Sequence, residues 1–370
     1  MTLADTSPSA SVANAPRDYS LTGPGAQHAI EAGLASAEWY HSDVPRKVMK
    51  DLMRRRDGPA LRDTAIWFAL LIATAAGGIW FWGSWAAVPF FLVYGVLYGS
   101  VCDSRWHECG HGTAFKTQWM NDFVYHIASF MVIRNPVSWR WSHARHHTDT
   151  IIVGRDPEIA LMRPPDVLLK ALAFVGIPDA FTSLAVLIRN ARGVFSDDER
   201  DYIPDSEVPR AIFWARIHVA IYAATVIAAL AMGSLLPLML IFGPRLYGAW
   251  HMVLAGLIQH GGLAEDVLDH RLNSRTVYMN PVSRWIYWNM NYHVEHHMFP
   301  MVPYHALPRL HALIKDDLPV PNRSIAEAYA EMLGALWRQR SDPEYYVRKE
   351  LPPTARPYRA EFHAFDVARA

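Results

Sequence analysis

The sequence predicts an all-α membrane protein whose four membrane-crossing helices pair into two hairpins, and three observations carry that prediction. Residues 64–102 form a run of 39 without one Asp, Glu, Lys, Arg or His. A second apolar region runs from about 211 to 258, broken near "MGSLLP". The 370-residue chain is 51% hydrophobic and holds 14 Trp, 16 Tyr and 15 Phe, a balance that fits a membrane protein better than two or three soluble domains.

The elements follow in chain order. The opening "MTLADTSPSASVANAPRD" lacks the basic start and apolar run of a secretory signal, and residues 1–45 read as a flexible tail. The membrane domain is expected over 46–340. Its first spans, about 64–82 and 85–102, each cover about 27 Å at about 1.5 Å per residue, close to the ~30 Å hydrocarbon layer. The turn between them, "WFWGSW", carries aromatic residues that favour the headgroup level and Gly83 to bend the chain. Residues 119–133 and 167–188 are apolar but interrupted by charge or proline, and read as interfacial. The second hairpin is expected at 211–232 and 235–258. Arg216 can snorkel to its edge, whereas Arg245 and His251 fall inside the second arm, so either that helix outruns the bilayer or Arg245 faces protein. From 341 to 370 the chain is rich in proline and charge and reads as an extended tail.

Both hairpin turns lack Lys and Arg, while "RKVMKDLMRRR" precedes the first span, which puts the polar segments on the cytoplasmic side of an inner or cytoplasmic membrane. Lys plus Arg and Asp plus Glu are both 35, so no global basic field exists to attract nucleic acid. Cys102 and Cys109 are expected to be small buried residues rather than a disulfide.

All these polar segments share one oddity: histidine is concentrated in "HECGH" (107–111), "HARHH" (143–147) and "HVEHH" (293–297). On a helix, positions i, i+3 and i+4 share a face, so each cluster is expected to aim its imidazoles at one point. The eight are His107, His111, His143, His146, His147, His293, His296 and His297. Eight neutral imidazoles exceed the four ligands of one tetrahedral ion and argue for two metal ions; imidazole serves iron, copper and zinc alike. Glu108 and Glu295 should point away from the ligand face, which argues against either as a general base. His126, His218, His251, His305 and His311 stand outside the clusters and read as structural.

The order H-x3-H, H-x2-HH, H-x2-HH, with "EHHMFPMVPYHALPRL" after the third cluster, resembles the three histidine boxes of the membrane fatty acid desaturase family over about 64–315. The resemblance implies a four-helix anchor under a cytoplasmic helical cap, with the eight histidines holding two Fe ions that use O2 to remove hydrogens from an unactivated C–C pair. It implies an acyl lipid or thioester substrate; a hydroxylase or other oxygenase on the same centre, or a desaturase of a small metabolite, remains as the alternative. No "HPGG" haem-binding stretch occurs, so electrons are expected from an external ferredoxin or cytochrome with its reductase. The family also implies a ninth histidine ahead of the third box. His260, in "GLIQHGG", is the candidate and His251 the alternative; a helix-capping role for His260 stays open. Asp149 and Asp156 follow the second box and are candidates to accept from ligand N–H groups, with capping or a surface turn as the other reading.

Overall fold

The computed structural model describes residues 17–358. Among them there are helices and two isolated bridges, and no strand. A short α1 (Pro24–Glu31) and the basic α2 (Arg46–Leu52) lead into α3 (Asp57–Trp80), the first long apolar helix. The chain turns at 81–86, where Gly83 takes φ +86° and Trp80 and Trp85 stand exposed. It then returns as α4 (Ala87–Val96), a π-turn (Leu97–Val101) and α5 (Cys102–Gly110), continuous over 24 residues or about 36 Å. The first box therefore sits one bilayer thickness away from the tryptophan-rich turn.

Three more helices, α6 (Gln118–Met131), α7 (Pro136–Thr148) and α8 (Val167–Ala173), precede α9 (Ile177–Ala191). The helices α8 and α9 meet at 83° about Gly176, which has φ +64° and is followed by Pro178; together they are apolar enough to count as one broken span. After α10 (Asp197–Tyr202) comes α11 (Val208–Ala231), a third long apolar helix. Among the described residues three helices are thus long and apolar enough to cross a membrane, or four if the bent pair counts.

The expected fourth span, 235–258, differs. It is broken into α12 (Leu236–Leu240), α13 (Pro244–Tyr247) and α14 (Trp250–His260). Pro237 and Pro244 lack the N–H that a helix interior needs, and Gly243 and Gly248 let the chain bend. A Cβ on Gly248 would clash with the Gly95 backbone and one on Gly95 with the Tyr247 ring, so the two glycines let the broken arm press onto α4 and the π-turn. Arg245 faces protein: it is buried, pairs with Asp179 and donates to the Gly99 carbonyl at 3.2 Å. The two hairpin turns meet, Trp82 Nε1–H donating to Ser234 Oγ at 3.2 Å.

Short helices α15 (His270–Asn273), α16 (Pro281–Ile286), α17 (His293–Met298) and α18 (Leu307–Ile314) and the longer α19 (Ile325–Arg338) complete the body. The stretch 1–45, expected as a tail, packs on this body from Arg17 onward: Arg17 pairs with Glu265, Tyr40 is 1% exposed, and Ser42 Oγ donates to Asp317 at 2.6 Å. Leu21, Leu34 and Tyr40 provide the apolar area that holds it there, each being buried. Residues 1–16 lie outside the described part. At the other end residues 341–358 are extended and tied down, Val347 N–H donating to the Gly262 carbonyl and Lys349 pairing with Glu331, while the rest of the expected tail, 359–370, lies outside the described part.

Candidate metal centre

Each box lies where local signals start or stop a helix. Gly112, with φ +68°, ends α5 just after His111. Asn135 caps α7, its side chain accepting from Val137 N–H and Ser138 N–H, and Pro136 fills the first turn, where no N–H is missed. The short α17 opens beside a bridge between Thr276 and Tyr292. His260 is the last residue of α14, before the two glycines.

The nine histidines meet in two groups, with ring nitrogens within 4.8 Å inside each. One holds His107, His111, His143, His147 and His296; the other holds His146, His260, His293 and His297. The expectation that each box aims at a single point is corrected. Within each H-x2-HH box the first and last histidines, four apart, stay together, and the middle one crosses to the other group. Four residues rotate a helix position by only about 40°, whereas neighbours stand about 100° apart, so adjacent histidines face different points. His260 completes the second group and His251 does not join it; His251 Nε2 meets Ser283 Oγ at 3.1 Å.

These rings fit metal ions. His143 Nδ1–H donates to Glu158 Oε2 at 2.9 Å, which leaves its Nε2 a bare lone pair 3.1 Å from His111 Nε2 and 3.1 Å from His147 Nε2. His260 Nδ1–H donates to the Asn273 carbonyl at 2.8 Å and turns its Nε2 toward His293 Nε2 at 3.0 Å. A cation placed between such nitrogens lets each of them give it a lone pair. Metal–nitrogen bonds of about 2.1 Å at right angles give nitrogen pairs about 3.0 Å apart, matching these contacts. Burial supports the same donors by keeping imidazole neutral: it pushes His111 down to about 4 and His260 to about 3. For His146 burial acts in that direction too, but the Asp156 carboxylate outweighs it and the net shift is upward.

Asp156 accepts from His146 Nδ1–H at 2.8 Å and from Ile151 N–H at 2.7 Å. The Asp149 carboxylate instead pairs with Arg145 at 2.6 Å and Arg155 at 3.1 Å and makes no hydrogen bond to a box histidine among the described residues. Glu158 is the partner that sequence reasoning missed, although it stands two residues after Asp156 in "GRDPE". Glu108 and Glu295 do face away. Glu108 accepts from Thr113 and from Tyr304 N–H; Glu295 accepts from Thr276 and pairs with His311. Both cysteines are buried and free.

A cavity of about 490 Å³ opens against His107, His143, His146, His260 and His293. Trp106, Trp139, Leu161, Val253 and Leu257 give it apolar wall; Asp103 and Lys170 also line it and make no side-chain hydrogen bond or ion pair among the described residues. The site thus defines a class: a helical protein with helices apolar enough to cross a membrane and two histidine groups that could each hold a metal ion, beside a largely apolar cavity. A family model for fatty acid desaturases matches residues 83–328, two thirds of the chain, and the chain belongs to that family. It is 31% identical over 140 residues to the sn-1 oleoyl-lipid 12-desaturase of Anabaena variabilis, covering 36% of this chain and 38% of that one. A protein of Sorghum bicolor named "Probable fatty acid desaturase" is 25% identical over 273 residues, 67% of each chain. The sn-1 acyl-lipid omega-3 desaturase (ferredoxin) of a Nostoc strain is 31% identical over 74 residues, 20% of each.

Proposed function

We propose that this chain is a membrane-bound, O2-dependent di-iron desaturase that introduces a C=C bond into a fatty acyl chain carried as a lipid or thioester. The observation that carries the proposal is the division of nine histidines, five of them buried and four half-buried, between two groups at the wall of one cavity. His107, His111, His143, His147 and His296 would hold one iron and His146, His260, His293 and His297 the other. When bound, the pair of irons supplies O2 activation and the oxidising power for C–H cleavage. The chain's own residues do the rest. Asp156, Glu158 and the Asn273 carbonyl hold the Nδ1 protons of His146, His143 and His260, which keeps each Nε2 free as a donor atom. Trp106, Trp139 and Leu257 keep water from the reacting carbons and line up the alkyl chain along the histidine wall. The centre belongs on the cytoplasmic face, where the basic residues before the first span lie, and draws electrons from an external ferredoxin or cytochrome with its reductase.

Asp103 and Lys170 favour a second reading. An alkyl chain gives a carboxylate and an ammonium nothing to bond, whereas a small polar substrate would, and hydroxylation would use the same metal pair. Iron-loaded protein supplied with reductant and O2, followed by mass spectrometry of acyl lipids and small polar metabolites, separates these outcomes. Loss of two hydrogens from an acyl chain is expected; gain of one oxygen, or product only from a polar metabolite, would replace the acyl-desaturase reading.

A further inference from the structure

His270 is a tenth histidine near the centre, and it belongs to neither metal group. It is 2% exposed, its ring centroid lies 5.1 Å from that of His297, and its Nδ1 has no hydrogen-bond partner. On its other side the Trp39 indole stacks on it, centroids 4.3 Å apart and planes 6° from parallel. Trp39 is fixed by donating Nε1–H to the Thr148 carbonyl at 2.9 Å, and it lines a groove of about 720 Å³ on the outside of the protein. Three π-systems in contact thus lead from this groove to the second metal group. Electron tunnelling weakens steeply with distance, so a carrier seated over Trp39 has a short route inward.

The groove's charge selects the carrier. Arg46, Lys47 and Lys50 on α2 are exposed and form no ion pair among the described residues, whereas the nearby Asp43 and Asp51 are taken by Arg356 and Arg309. Glu38 adds one open carboxylate against these three cations. Met49 and Phe299 give the groove a small apolar floor. A brief complex between redox proteins needs little buried area and gains its speed from opposite charge, which is what this face offers.

On the di-iron reading above, we propose that the groove over Trp39 docks an acidic one-electron carrier protein of the ferredoxin kind, and that Trp39 and His270 conduct its electron to the metal group containing His297. Each docking oxidises one reduced carrier and takes one iron from ferric to ferrous, so two dockings supply the two electrons of a turnover.

The test uses the full chain in nanodiscs and an acidic plant-type [2Fe–2S] ferredoxin. Ferredoxin binding is measured at low and high salt, and reduction of the iron is followed by stopped flow with ferredoxin and, separately, with dithionite. Arg46→Glu with Lys50→Glu should weaken binding at least tenfold at low salt, with the difference fading at high salt. Trp39→Leu should leave binding and iron content intact and slow ferredoxin-driven reduction at least tenfold, while dithionite reduction is unchanged; Trp39→Phe should recover most of the rate. Unchanged reduction in Trp39→Leu would overturn the route. Unchanged ferredoxin binding in the charge-reversed variant, with weakened binding to anionic vesicles instead, would overturn the docking and assign α2 to lipid headgroups. Wild-type protein that holds iron and forms product with dithionite but binds no ferredoxin would also overturn the docking. A wild-type chain that holds no iron fails the di-iron reading itself.

Discussion

Asp156→Asn tests how the second metal group is held. Asp156 Oδ2 accepts from His146 Nδ1–H and Ile151 N–H, and Oδ1 accepts from Glu158 N–H at 2.8 Å. An asparagine can keep an oxygen on one side only. Placed toward His146 it saves two bonds and sets its NH2 against the Glu158 N–H; flipped, it loses both bonds on the His146 side. The first arrangement costs about 1–3 kcal/mol for the unsatisfied donor. His146 also loses an anionic partner, and the removal of such a partner lowers metal affinity about 10–100-fold, or about 1.4–2.8 kcal/mol. The five-histidine group has its own partner in Glu158 and keeps its ion. Titration of metal-free variant with Fe(II) against a chelator of known affinity, with iron per chain measured after desalting, should show one tight site and one weakened at least tenfold. Two sites of unchanged affinity would refute the reasoning that Asp156 holds His146 in its binding tautomer.

Other outcomes follow from the same geometry. His260→Ala removes one of four donors from the second group and should cut iron content toward one per chain and abolish product, while His251→Ala, whose ring meets Ser283, should keep both irons; equal iron loss in the two would remove His260 from the centre. The metal-free protein should lose thermal stability as pH falls from about 6.5 toward 4, because the unfolded chain takes up protons that buried His111 and His260 refuse until about 4 and about 3; His146, shifted upward, contributes in the opposite sense, and a flat melting temperature over that window would show the rings to be solvated. Asp103→Leu removes an unpaired carboxylate from the cavity wall, so kcat/KM for an acyl substrate should hold within about twofold; a fall of about tenfold or more with iron intact would match a lost charged hydrogen bond and favour the polar-substrate reading.

Much of the centre was legible because it is a matter of local spacing. An i, i+4 pair shares a helix face wherever the helix goes, so the first and last histidines of each box read correctly as partners. The glycines after His260 likewise marked a helix end close to other backbone. The crossing of His146 and His296 to the opposite groups was not legible, since it depends on where a second helix stands and not on either box alone. Glu158 was hidden for a related reason: its carboxylate reaches His143 only because the turn at 149–156 folds back along α7. The first hairpin was readable from an unbroken charge-free run, and the break in the expected fourth span less so. There the prolines and glycines were visible, but their effect rests on packing of Gly248 against Gly95 and on the pairing of Arg245 with an Asp179 far away in sequence. At 17–45 the polar, small-residue character of the start hides Leu21, Leu34 and Tyr40, whose burial fastens the segment.

The most direct test of the central claim is metal analysis joined to Mössbauer spectroscopy on protein expressed with enriched iron and purified in detergent. Nine histidines divided five and four predict two irons per chain in two distinguishable nitrogen-rich environments, with the second depleted in His260→Ala. One iron per chain at full turnover, or full turnover with zinc alone, would contradict it.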